Sequence, residues 1–278
     1  MKLSSADNCV TRLYYRSDRV ANGLLFALRG CFDGLWLGFL SSKRLAQIDE
    51  QYFHRCGEYV DMTYNCQGFW AWERKAIEGY FAGVRRIAVT SAGGGREVLA
   101  LLKAGYEAVG FEPNEELVRF GNQLLADHYP AVSIHSSPRD RWPPDGVDFD
   151  AAIVGWGGYM HIAGRRQRVA FLREAKERLP LGAPILLSFF VRRGTSVRFR
   201  SVVTVGGLVR RLLHREPEEA GDALIPHLAH YFTRDEVAAE LSEGGFELVA
   251  FGTDGYGWAV GRSVASRSSH GRSGYVPS

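Results

Sequence analysis

The stretch "RRIAVTSAGGGREVLALLKAGYEAVGFEPNEELV", residues 85–118, decides the fold. A run rich in β-branched residues, Ile87 to Thr90, leads into Gly93, Gly94 and Gly95. The apolar spacing then becomes helical, and a second apolar run closes on Glu112. Glycines permit positive φ and leave room for a ligand against the backbone. The helix that follows aims free N–H groups at the same place. An acid at the carboxyl end of the second strand lies across the switch point from that loop. A carboxylate there suits the two hydroxyls of a ribose, so the unit predicts an adenosine-bearing ligand.

Working outward, strand patterns fall at 86–91, 107–112, 131–135, 150–156, 183–191, 246–252 and 257–261, with helices at about 95–104, 114–128, 165–179 and 233–244. Strands alternating with helices of this size imply right-handed crossovers and a parallel sheet covered on both faces. Asn114 is placed to cap a helix opening with Glu115 and Glu116, and Thr233 with Glu236 forms a capping box. The last two strands have only a short turn between them and should pair as an antiparallel hairpin. The expected architecture is α/β: a Rossmann-like, seven-stranded, mostly parallel sheet ending in that hairpin, with helices on both faces. Residues 1–84 read as a helical cap, 85–262 as the main domain, about 192–230 as a lid-like basic insertion, and 263–278 as a disordered Ser/Gly/Arg-rich tail.

The 278 residues are 46% hydrophobic and 23% charged, enough for a large core without staples. A formal net charge of +3 gives no concentrated basic face, which argues against a nucleic-acid partner. Cys9, Cys31, Cys56 and Cys66 lack a disulfide framework and read as reduced thiols. His54, Cys56, Asp61 and Cys66 match no zinc spacing, so no metal is expected. The start lacks the apolar core of a signal peptide, and a cytoplasmic location is expected. The run Val20–Leu40 is long enough to raise a membrane question, but Arg29, Asp33 and its glycines argue for a buried or partner-facing helix pair broken near Gly30–Gly34. A peripheral membrane contact and a homodimer both stay open.

The glycine turn alone admits two ligand classes. Gly93 and Gly95 match the first two glycines of a dinucleotide fingerprint, but Val98 holds the third position and no YxxxK follows. A P-loop is excluded, because no GK[ST] occurs. In order along the chain, "IAVTSAGGGRE", "VGFEPNEELV", "DFDAAIVGWGGYMHI", "FLREAKERLPLGAPILLSFF" and "HYFTRDEVAAELSEGGFELVAF" resemble the motifs of class I S-adenosylmethionine-dependent methyltransferases. The terminal hairpin resembles that family's antiparallel seventh strand. The resemblance covers residues 85–262 and implies S-adenosyl-L-methionine as cofactor. It implies contacts from Ser91, Ala92, Gly93, Gly95, Glu112, Pro113, Gly155 and Trp156, with Asp140 near the adenine. Ser91 stands where the family has its first glycine, and Val89 where it often has an acid.

Methyl transfer needs an acceptor positioned in line and, for a hydroxyl, a proton removed. The loop "GWGGYMHI" offers Tyr159 and His161, and "PHLAHYFT" offers His227, His230 and Tyr231. His161 and His230 are the candidate bases, being imidazoles that titrate near neutral pH. Tyr64, Asn65 and Trp70 of the aromatic front segment, with Tyr159 and Tyr231, are candidate acceptor contacts. A small-molecule acceptor is expected, since no DPPY follows the fourth strand. A nicotinamide-dependent oxidoreductase and a non-catalytic adaptor are the competing expectations.

Overall fold

A computed structural model describes residues 9–143, 148–215 and 219–265. The cap comprises helices α1 (Cys9–Phe39), α2 (Ser42–Arg55), α3 (Met62–Cys66) and α4 (Ala71–Tyr80), with a 3-10 turn at Gly57–Val60. The main domain runs β1 (Arg86–Thr90), α5 (Arg96–Lys103), β2 (Glu107–Glu112), α6 (Glu115–Ala126), β3 (Ile134–Ser136), β4 (Ala151–Val154), α7 (Arg165–Arg178) and β5 (Pro184–Val191). After β5 come α8 (Val197–Leu212), β6 (Asp222–Leu224), β7 (Leu228–Phe232), α9 (Arg234–Glu243), β8 (Phe246–Gly252) and β9 (Gly257–Ser263).

The strands β3, β2, β1, β4 and β5 lie side by side in that order, all parallel. β9 runs antiparallel along β5 from Pro184 to Phe189 and pairs β8 on its other edge. This is the expected seven-stranded arrangement with its antiparallel hairpin. Alternation along each strand feeds two cores. Ala88, Ala152, Val154, Ile185, Leu187 and Phe189 face the layer holding Phe171, Leu172 and Leu241 of α7 and α9. Ile87, Val89, Ala151, Ile153 and Leu186 face Trp72, Ile77, Val98, Leu101 and Leu125 of α4, α5 and α6. The predicted caps form: Asn114 Oδ1 accepts from the Glu116 and Leu117 N–H groups, and Thr233 with Glu236 closes a capping box.

Three expectations are corrected. The insertion is not simply a lid. Its β6–β7 hairpin adds two strands, and β7 pairs parallel with the end of β5, Phe190 opposite Tyr231 and Val191 opposite Phe232. Leu228, Ala229, His230 and Phe232 are buried there, which a surface lid would not require. Ser263 closes β9 rather than opening a tail, and residues 266–278 lie outside those described. Finally, α1 is continuous through Gly30–Gly34 and the chain turns only at Leu40 and Ser41.

The glycines of α1 serve close packing instead. Gly30, Gly34 and Gly38 recur every fourth residue, so they share one face. A Cβ on Gly34 would come within 2.7 Å of the Val202 carbonyl oxygen and 3.0 Å of the Gly206 nitrogen on α8. Asp33, fully buried beside them, pairs with Arg198 of α8 at 2.6 Å and with Arg29 at 3.0 Å. Gly34→Val should therefore push α1 off α8 and cost roughly 1–3 kcal/mol, since backbone atoms cannot yield as a side chain can. Gly23→Ala meets nothing within 4 Å and should be neutral or stabilising by up to about 1 kcal/mol. Thermal denaturation of the two variants checks the contrast.

The rest of α1 is largely solvent-facing, with Leu13, Tyr14, Leu24, Leu25, Phe26 and Leu28 all more than half exposed. No single described helix is long and apolar enough to cross a membrane, although α1 and α2, bent by 116°, pass that test of length and composition together.

Candidate functional site

The loop after β1 is left-handed at three positions: Ser91 (φ 51°), Gly93 (φ 55°) and Gly95 (φ 97°). Only Ser91 carries a Cβ there, and glycines across the gap make room for it. A Cβ on Gly158 would meet the Ser91 Cβ at 2.5 Å, and one on Gly155 would meet the Ser91 carbonyl oxygen at 2.3 Å. The serine that replaces the expected glycine is thus accommodated by the loop after β4. Beside Gly93 the space is open, with nothing within 4 Å of an added Cβ.

Glu112 ends β2 and turns its carboxylate back to this loop. Oε2 accepts the Gly93 N–H at 2.9 Å and Oε1 accepts the Asn114 N–H at 3.0 Å. The residue is 3% exposed, and burial pushes its carboxyl pKa up against the opposing pull of Arg139 and of the two N–H donors. A carboxylate has about four lone-pair sites. Two are used in fixing it, and about two remain for hydroxyl donors.

The cap closes over the loop. A Cβ on Gly94 would lie 2.2 Å from the Tyr59 carbonyl oxygen and 2.8 Å from Asn65 Oδ1, so only glycine fits. Asn65 Nδ2 donates to the Tyr59 and Asp61 carbonyls at 3.0 and 2.9 Å. Asn65 Oδ1 and Ser91 Oγ are buried without a hydrogen-bond partner. Unpartnered polar atoms at this loop fit the charged end of a bound amino-acid group. Tyr64 packs edge-on against Tyr59, and burial raises its pKa.

A cavity of roughly 530 Å³ opens at the carboxyl ends of β2, β3 and β4. Pro113, Asn114, Arg139, Asp140 and His161 form its sheet-side wall, Leu45, Asp49 and Phe53 of α2 its cap-side wall, and Asp222 and Leu228 its insertion-side wall. Its size suits a small molecule. Asp49 is ion-paired with Arg139. Burial alone would raise the Asp49 carboxyl, but Arg139 and His227 outweigh it and hold the pKa at about 2. His161 Nδ1 lies 2.7 Å from the Leu228 carbonyl oxygen, and burial, with the positive charge of Arg139 next, lowers its pKa to about 3. The imidazole is therefore neutral.

The other singled-out residues divide into groups. Trp70 and Trp156 meet in an aromatic cluster with Tyr256: Trp70 stacks on Tyr256 at 5.6 Å, and Trp156 lies 4.0 Å from the same ring. Tyr231 packs between Phe190 and Phe199. Tyr159 is a core residue whose hydroxyl donates to Glu240 at 2.6 Å. His230 is 2% exposed, bonded through Nδ1 to Asp222 Oδ1 at 2.7 Å, and does not line the cavity. Ala92 is buried in the loop, its N–H donating to the Phe111 carbonyl. Asp49 and Arg139, which join the cap to the cavity, carry no motif and were not singled out from sequence. His227 stands in the same stretch as His230, and nothing in its spacing marks it for a role. Where spacing offered no ligand set for a metal, the fold brings Asp49, His161 and His227 together.

No family model and no curated protein matches the chain in sequence. Many solved structures match its fold. A 1,6-didemethyltoxoflavin-N1-methyltransferase from Burkholderia thailandensis, solved with 1,6-didemethyltoxoflavin and S-adenosylhomocysteine bound, is 15% identical with a TM-score of 0.58, over 82% of this chain and 92% of that one. A SAM-dependent methyltransferase from Methanosarcina mazei is 17% identical with a TM-score of 0.55, over 72% of this chain and 100% of that one. A sugar N-methyltransferase from Streptoalloteichus is 16% identical with a TM-score of 0.53, over 77% and 92%. The chain has the fold of class I S-adenosylmethionine-dependent methyltransferases.

Proposed function

We propose that the chain is an S-adenosylmethionine-dependent methyltransferase acting on a small molecule, at oxygen or nitrogen rather than carbon. The observation that carries this reading is Glu112. Two backbone donors fix its carboxylate beside a left-handed glycine loop, with lone pairs left for a ribose. Pro113 and Asp140 on the cavity wall stand where the adenine would lie, and the loop glycines with Asn65 stand where the methionine end would lie. The bound cofactor supplies the electrophilic methyl group. The chain's own residues bind, orient and exclude water: the cap covers the loop, and His161 faces the cavity occupied by the acceptor. His230, held inside the β6–β7 hairpin by Asp222, acts in that reading on the shape of the insertion. The small-molecule methyltransferases of the same fold support the acceptor class.

Calorimetry separates this from its rivals. S-adenosylhomocysteine should bind saturably at one equivalent and raise the melting temperature, while NAD(H) should do neither. Binding of NAD(H) alone would put a dehydrogenase in its place. With a deuteromethyl cofactor and a metabolite extract, a product heavier by the labelled methyl group is expected in mass spectra. Homocysteine-nucleoside binding with no labelled product from any extract would leave an adaptor rather than an enzyme.

A further inference from the structure

We propose that Asp49, His161 and His227 bind one first-row divalent transition ion, of the Zn²⁺ or Fe²⁺ kind, in the wall of the cavity. The three residues come from α2, from the loop after β4 and from the β6–β7 turn, and their candidate ligand atoms all lie within 4.8 Å of one another. Two imidazoles and one carboxylate form the donor set that borderline transition ions prefer over Mg²⁺ or Ca²⁺.

The state of each donor fits ligation. A carbonyl oxygen can only accept, so His161 Nδ1 must carry the proton it shares with Leu228, and the lone pair falls on Nε2. Such a backbone bond to the far ring nitrogen is how ligating histidines are oriented. His227 is 5% exposed, and its Nδ1 is buried with no hydrogen-bond partner. That nitrogen lies 3.4 Å from Asp49 Oδ1, about the edge of a tetrahedron with bonds near 2.1 Å. Arg139 binds the other oxygen of Asp49 and holds the carboxylate from outside. A packing role alone would leave the His227 nitrogen with only its long contact to Asp49 and no well-directed hydrogen bond. An ion satisfies it.

Three protein ligands leave a coordination position open. Asp49 and His161 line the cavity, so on the functional reading above that position faces the acceptor and would take its oxygen or nitrogen. The ion would also tie the cap and the insertion to the sheet edge.

The test uses full-length protein stripped with chelator and titrated with Co²⁺, followed by visible absorption and by calorimetry. One equivalent should bind with ligand-field bands of a low-coordinate site, and the melting temperature should rise reversibly on metal addition. Asp49→Asn and His227→Gln should each weaken binding at least 100-fold, while S-adenosylhomocysteine affinity of His227→Gln, a residue outside the cavity wall, stays within about threefold. That second readout certifies folding and keeps the two readings separate: lost nucleoside binding in the wild type strikes at the methyltransferase assignment, not at the ion. Millimolar Mg²⁺ should not displace Co²⁺. No saturable uptake by wild type, variants that bind as tightly as wild type, or equal competition by Mg²⁺ would each overturn the assignment. Should a variant prove unfolded, the wild-type stoichiometry and melting shift decide alone.

Discussion

Arg96→Leu is expected to lower folding stability by about 3–5 kcal/mol, the range for removing one partner from a buried ion pair. Arg96 is 1% exposed. Its guanidinium donates to both Glu73 oxygens, at 2.7 and 2.5 Å, to Glu97 Oε1 at 2.7 Å and to the Gly68 carbonyl at 3.0 Å. It also lies 4.1 Å over the Trp70 ring. Leucine would leave Glu73 and Glu97, 3% and 5% exposed, as two buried carboxylates with no cation between them. Burial already pushes the Glu73 carboxyl above its ordinary value, with the bonds from Arg96 opposing. Without Arg96 that opposition vanishes and Glu73 favours the protonated form. A carboxyl whose folded pKa is raised is destabilising above its unfolded value and less so as pH falls toward it. The deficit of the variant should therefore narrow between pH 7 and pH 5, and urea denaturation at the two values measures it. Arg96→Lys keeps the charge but loses the fork, so an intermediate loss is expected. Because Glu97 Oε1 also accepts the Trp156 N–H at 3.0 Å, the Leu variant should disturb the loop after β4 as well. A loss below 1 kcal/mol would mean that the cap is not anchored through this cluster.

What the sequence made legible was local. Strand β1, its glycines, α5, β2 and Glu112 are contiguous, so every constraint on them falls within one short window. The caps at Asn114 and Thr233 act over three residues and were equally readable. The parallel sheet and its antiparallel terminal pair followed from strand–helix alternation and from the short turn before β9. What escaped depends on distant partners. Gly30 and Gly34 read as a helix break because the favourable term, contact with α8, is invisible until the chain folds. Leu228–Phe232 has no strand–helix alternation around it to mark it as a strand, and its partners, β6 and the end of β5, come together only in the fold. Asp49 sits on α2 amid ordinary polar residues. Nothing within that helix distinguishes it, and its meaning arises from Arg139 and His227 across the cavity. Tyr159 reads as an acceptor contact from its place in the loop after the fourth strand, yet the chain turns its ring inward to Glu240.

Glu112→Ala should weaken S-adenosylhomocysteine binding by roughly 1.5–3 kcal/mol, about 10- to 150-fold. Two effects add. The ribose loses its acceptor, and the N–H groups of Gly93 and Asn114 lose theirs. Either N–H left unsatisfied costs about 1–3 kcal/mol, so a fall in stability should accompany the fall in affinity. The conservative replacements discriminate. Glu112→Gln is not neutral: one end of its amide is a donor, which must face either the Gly93 or the Asn114 N–H. Glu112→Asp is one methylene shorter and cannot span both donors without moving the strand end. Gln should therefore lose most of the affinity although its shape is preserved, and Asp should lose a part. If the carboxylate were only a brace for the loop, Ala would lower the melting temperature while affinity per folded molecule stayed the same. Unchanged calorimetric affinity in Glu112→Ala would remove the ribose assignment, and with it the strongest support for the cofactor.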